Sequence, residues 1–135
     1  MNRHVYKERR TYQRYDEAHI IGYLNEEVLN NYQPASEPNA GEGANEPEPW
    51  SEAYAYTGSE ADGGTVMACD KQDDSGELAN AIIRTRYTES QELAIQRHAI
   101  NGEYEEAPQE YEQYNSWCQY AVQTAKDWIA AKAAQ

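Results

Sequence analysis

Phenylalanine is absent from this chain: its large aromatic side chains are twelve tyrosines and three tryptophans, each with a hydrogen-bonding group at one end. A core built from them must supply a polar partner for every buried hydroxyl or indole N–H. Only 39% of the residues are apolar and the mean hydropathy is -1.03, below the usual range of globular domains. Some tyrosines must therefore serve as core, or part of the chain stays unfolded. The same pairing of apolar ring and polar tip suits surfaces that meet another molecule.

At 135 residues the chain has the length of one domain and is expected to form one compact unit. A formal net charge of -13 repels phosphate backbones and anionic lipid, which argues against nucleic-acid and membrane-surface partners. The charge is split along the chain. Arg3, Lys7, Arg9, Arg10 and Arg14 stand near the start against the single acid Glu8, and between Tyr15 and Ile83 the only Lys or Arg is Lys71. Such a basic arm ahead of an acidic body docks onto a neighbouring copy or an acidic partner, or remains a solvated tail. Cys69 and Cys118 are too few for a disulfide framework and lack metal-site spacing, so both read as reduced thiols. No stretch near the start resembles a leader and none approaches a membrane span. The chain is expected in a reducing cytoplasm, or packaged there into a particle.

Ile20, Ile21, Leu24, Val28, Leu29 and Tyr32 recur at three and four, predicting a helix over 15–33 that Gly22 weakens and Pro34 ends. Residues 34–49 hold four of the five prolines and no apolar side chain larger than alanine, which predicts an extended linker. An ordered path through it implies a neighbouring subunit or partner that holds it. Trp50, Glu52, Tyr54 and Tyr56 then alternate with small residues, the period of a strand with an aromatic face. Across the turn-rich stretch 58–64, residues 65–69 are expected to return as the second strand of a β-hairpin.

Helix signals dominate the last third. Asp74 or Ser75 can cap a helix reaching Arg86, Thr88 with Gln91 has the form of a capping box, and Gly102 fits a left-handed stop. Pro108 suits the first turn of a final helix in which Tyr111, Tyr114, Cys118, Ala121, Ala125 and Trp128 form a stripe. That stripe is read as one face of an antiparallel helical hairpin in preference to a coiled-coil seam. The expected fold is α+β and mainly helical: an N-terminal helix, an extended Pro/Gly/Glu linker, one β-hairpin and a C-terminal helical hairpin. Its segments are a basic arm and helix (1–33), the linker (34–49) and a hairpin plus helical domain (50–135).

Catalytic and metal patterns do not converge. His4, His19 and His98 have no paired ligand spacing, and the acids Asp70, Asp73, Asp74 and Glu77 fail a calcium loop, since Ser75 stands at the turn glycine and Ala81 at the closing glutamate. Glu103, Glu105, Glu106, Glu110 and Glu112 read as a solvated face rather than a buried acid pair. No serine or cysteine has a nucleophile's setting, so no enzyme, metal or cofactor is expected. Arg84 and Arg86, bracketing Thr85 ahead of Tyr87, can clamp a partner carboxylate or pair with Glu89 or Glu92. Trp50, Tyr54 and Tyr56 serve either as core, the preferred reading, or as a platform for a sugar ring or partner side chain. The candidate interface is thus Trp50, Tyr54, Tyr56, Arg84, Arg86, Tyr87, Arg9, Arg10 and Arg14.

From Ala55 to Lys126 the order Ala55-Tyr56-Thr57-Gly58, Asp62-Gly63-Gly64-Thr65, Ile82-Ile83-Arg84-Thr85-Arg86-Tyr87, Glu92-Leu93-Ala94-Ile95 and Glu110-Tyr111-Glu112-Gln113-Tyr114 resembles small proteins of bacteriophages and prophages of gut Bacteroidales. These are similar to tail-associated and tail-fibre assembly proteins of other phages. The resemblance spans about half the chain through short motifs and brings no catalytic residues. It implies a non-enzymatic structural or assembly protein whose partners are phage structural proteins or its own copies. Two other classes stay open: a carbohydrate-binding module using Trp50, Tyr54 and Tyr56, and an acidic mimic of DNA, the latter weakened by acids that lack regular helical spacing.

Overall fold

A computed structural model of the chain describes residues 1–35 and 47–134. Among the described residues six strands precede three helices: β1 (Asn2–Tyr6), β2 (Tyr12–Arg14), β3 (His19–Gly22), β4 (Glu27–Tyr32), β5 (Trp50–Gly58), β6 (Thr65–Ala68), α1 (Ser75–Arg84), α2 (Glu89–Ile100) and α3 (Gln109–Ala133). The strands form two three-stranded sheets, ordered β1-β5-β4 and β2-β3-β6. Two compact units result, one of Met1–Tyr12 with Ile21–Val66, the other of Gln13–Ile20 with Met67–Gln135. Among the described residues no helix is long and apolar enough to cross a membrane.

The mainly helical layout expected from the sequence is corrected at three places. No helix occupies 15–33; that stretch holds β3 and β4. Ile20, Ile21, Gly22, Tyr23 and Leu24 are buried in succession, which a helix with one apolar face does not do and a strand covered on both sides does. Asn25 and Asn31 take the left-handed conformation, at φ 59° and 54°, the first just after Leu24 and the second within β4. β-branched Ile20, Ile21 and Val28 also favour the pleated backbone.

The β-hairpin is the second correction. β5 is the central strand of its sheet, antiparallel to β1 on one side and β4 on the other, while β6 belongs to the other sheet. The intervening loop closes on itself, with the Glu60 N–H donating to Gly64 O and the Gly63 N–H to Glu60 O. Gly58 is obligatory there, since a Cβ would lie 2.2 Å from Gly64 O, and Gly63 sits at φ 84°. Most of the expected linker, residues 36–46, lies outside the described residues. At its ends the Gln33 side-chain amide donates to Pro47 O at 2.7 Å.

The third correction concerns the helices. The capping signals hold: Asp74 accepts the Glu77 N–H, and Thr88 and Gln91 exchange both bonds of a capping box. The Gly102 backbone is left-handed at φ 73°. Yet α3 packs on α1 across the intervening α2, so its buried stripe is not one arm of a simple hairpin. That stripe is Tyr114, Trp117, Ala121, Ala125 and Trp128, while Tyr111 is exposed and Cys118 half-buried. Trp117, absent from the expected stripe, donates its indole N–H to Ile82 O at 3.3 Å. Small residues at the seam let the helices approach. Ala121→Leu, at a site with no exposed surface, is expected to destabilise the fold by about 1–3 kcal/mol through overpacking. Urea unfolding reads this as a lower midpoint, and an unchanged midpoint would refute close α1–α3 packing there.

Candidate functional site

The β1-β5-β4 sheet carries its aromatic residues on one face. Cross-strand partners share a face, and the register pairs His4 with Tyr56, Tyr6 and Val28 with Tyr54, Asn30 with Glu52, and Tyr32 with Trp50. The alternation of Trp50, Tyr54 and Tyr56 in β5 thus becomes one face of three strands. Its two ends differ.

At the inner end Tyr56 has no exposed surface and Tyr23 only 2%. Their rings meet edge-on at 5.7 Å, and Tyr6 lies 5.9 Å from Tyr23 and 6.2 Å from Tyr56. Every hydroxyl has an assigned partner. Tyr56 donates to Glu26 Oε1 at 2.7 Å and accepts the Arg10 backbone N–H at 2.9 Å. Tyr23 donates to Asp62 Oδ2 at 2.7 Å and accepts from Arg10 Nη2 at 3.0 Å, while Tyr6 donates to Asp62 O at 2.7 Å. The Arg10 guanidinium sits over two ring faces, 4.9 Å from Tyr6 and 4.7 Å from Tyr23. A planar, weakly hydrated cation is suited to such a slot. Among the described residues no buried side-chain nitrogen or oxygen lacks a partner.

The basic arm, read as docking onto another molecule or as a solvated tail, makes contacts within its own chain through three of its cations. Arg3 pairs with Glu27 at 3.3 Å, Arg9 with Glu26 at 2.9 Å, and Arg10 fills the tyrosine cluster. Burial and the bond to Asp62 push the Tyr23 phenol up to about 12, and burial with the bond to Glu26 raises Tyr56 further. Burial alone would raise Asp62, but the Tyr23 hydroxyl and the Gly64 N–H that it accepts, with Arg10 nearby, bring its carboxyl below the ordinary value. Hydrogen bonds between these phenols and the carboxylates fix the rings in place.

At the outer end the face opens. Trp50, Tyr32 and Tyr54 are half-buried, Val28 is 48% exposed, and Glu52 is exposed. Tyr32 and Trp50 lie 5.6 Å apart at a 44° tilt, while Tyr54 donates to Glu52 Oε2 and carries the Arg9 guanidinium 5.0 Å above its ring. Trp50, Tyr54, Arg9, Arg10 and Tyr56 are therefore brought to one face, with Tyr56 and Arg10 inside it. Sequence reasoning missed Tyr6, Tyr23, Glu26 and Asp62, which reach the cluster from three separate stretches of chain.

In the other unit Arg14 is exposed on β2. Arg84 pairs with Glu92 at 3.4 Å and reaches Glu89 at 4.0 Å, whereas Arg86 lies 3.6 Å over the Trp117 ring. Tyr87 meets Tyr114 edge-on at 5.2 Å. Both cysteines are free thiols, and burial raises their pKa values, which lowers thiolate reactivity. Among the described residues no three His, Cys, Asp or Glu side chains are grouped to hold a metal. Comparison with protein-family models, with curated proteins and with solved structures found no match.

The raised phenols carry a signed consequence. A tyrosine whose folded pKa exceeds its unfolded value near 10 holds its proton more tightly in the native state, so its contribution is complete below about pH 10 and lost as pH climbs toward about 12. Stability is expected to fall across that window, and Tyr23→Phe is expected to flatten the fall. Urea midpoints at successive alkaline pH values measure it. Equal slopes in both proteins would exclude Tyr23 as a linked group.

Proposed function

We propose that this chain is a non-enzymatic structural or assembly protein that works through protein–protein contacts, using the strip Val28, Tyr54, Tyr32 and Trp50. The observation that carries this reading is the opening of an otherwise closed aromatic face. Tyr and Trp side chains held on a rigid sheet supply contact area at little entropic cost, and such residues anchor interfaces. Arg9 and Glu52 beside them supply both charge signs at the rim, where complementarity sets partner choice. The resemblance to proteins of Bacteroidales phages supports a bacteriophage particle as the setting, at the tail or tail fibre. Partners are then phage structural proteins or further copies of this chain, met in the host cytoplasm during assembly or in the virion.

A carbohydrate ligand is the second reading, favoured by the half-exposed Trp50 next to the acceptor Glu52. The tilt between Trp50 and Tyr32 makes the surface ridged rather than flat, which suits a side-chain pocket better than a sugar face.

Light scattering on the purified protein, with capture of tail proteins from a phage lysate, tests the first reading. Trp50→Ala is expected to weaken the captured or self-associated complex by about tenfold or more while leaving the melting temperature nearly unchanged. A strictly monomeric protein that captures no virion component would contradict it. Glycan binding lost on the same substitution would replace it with the second.

A further inference from the structure

Apart from that sheet, the helical unit holds a pocket of about 240 Å³ walled by Tyr87, Gln91, Ala94, Ile95, His98 and Glu110. The four positions from α2 recur at three, one and three, which puts them along one side of that helix. Small-molecule sites usually enclose about 300–1,000 Å³, so this volume suits one large side chain rather than a cofactor. Its apolar lining comes from Tyr87, Ala94 and the buried Ile95. That wall is braced: Tyr114 abuts Tyr87 edge-on, and Gln96 donates to the Tyr114 hydroxyl at 3.0 Å.

The mouth differs in charge from its wall. Glu110 lines it directly, Glu103 bonds the lining residue His98, and Glu105, Glu106 and Glu112 are further exposed acids of the same stretch of chain. From Asn101 to Gln113 there is no Lys or Arg, and among the described residues no Lys or Arg pairs with any of these five carboxylates. Glu103 bonds His98 Nδ1 at 2.6 Å, and Glu110 accepts the Tyr104 hydroxyl, which keeps the rim in place.

We infer that this pocket captures a segment of a partner protein in which one large apolar side chain is flanked by Lys or Arg. The apolar residue fills the space between Tyr87 and Ile95, and the flanking cations meet Glu110 and Glu103. Apolar burial supplies affinity, and charge selects the partner and speeds encounter. An acidic segment is repelled by the same rim, and a neutral one gains no attraction from it. This contact is independent of the Trp50 surface and uses none of its residues.

The probe is a set of synthetic ten-residue peptides carrying a central Leu or Ala between paired lysines or paired glutamates, followed by fluorescence anisotropy against the full chain. The lysine-flanked Leu peptide is expected to bind about tenfold or more tighter than its Ala counterpart, the effect of burying one leucine. Ala94→Leu fills the pocket and is expected to erase that ratio while leaving general attraction for lysine peptides. Glu110→Gln is expected to weaken lysine-flanked binding severalfold and leave the Leu-to-Ala ratio intact, so the inference remains testable should Ala94→Leu fail to fold. Equal affinity for the Leu and Ala peptides, or a ratio that survives Ala94→Leu, would overturn it.

Discussion

A buried tyrosine hydroxyl must find a partner, and in this chain that requirement organises the sheet-bearing unit. With no phenylalanine to fill space silently, Tyr6, Tyr23 and Tyr56 bring three hydroxyls into the interior. Leaving one unpaired costs about 1–3 kcal/mol, comparable with much of a small fold's margin. The partners are Glu26, Asp62 and the Arg10 backbone, and two carboxylates close to buried rings in turn call for a cation. The N-terminal arm supplies cations to both: Arg9 pairs with Glu26, and the Arg10 guanidinium lies near Asp62. One polar network thus ties β1 and the segment after it to the β3–β4 turn, to β5 and to the loop after β5.

This explains why the charge asymmetry of the sequence does not translate into a free basic arm. Arg3, Arg9 and Arg10 meet their opposite charges or rings within the same unit. The outer half of the aromatic face stays open: Trp50, Tyr32 and Tyr54 are half-buried there, and among the described residues only Arg9, over the Tyr54 ring, reaches it from the polar cluster. In the helical unit the division runs the other way: an apolar seam of alanines and tryptophans is closed, and the acidic stretch from Glu103 to Glu112 is left to solvent.

Local chemistry was legible and long-range pairing was not. Asp74, the Thr88–Gln91 box and Gly102 declare helix ends through bonds made within a few residues, so the sequence alone locates them. The alternation in β5 was equally readable, because it needs only one strand. The partner of β5 was not: β1 lies some fifty residues earlier, and nothing near Val5 or Tyr6 announces that pairing. Ile20 to Leu24 misled for a related reason, since a strand buried on both faces loses its two-residue period and mimics a helix. Trp117 escaped notice because a strict three-four count from Tyr111 steps past it. Of the pocket, Tyr87 stood out by type, whereas Ala94 and Ile95 gain meaning only from the space that they border.

Amide hydrogen exchange over residues 2–14 tests the central claim most directly, because a docked arm and a free one differ by orders of magnitude in protection. The expected result is slow exchange in β1 and at the Arg10 amide, at rates comparable with β5, and loss of that protection in Arg10→Gln. Exchange of those amides at the rate of an unstructured peptide, with β5 still protected, would contradict it.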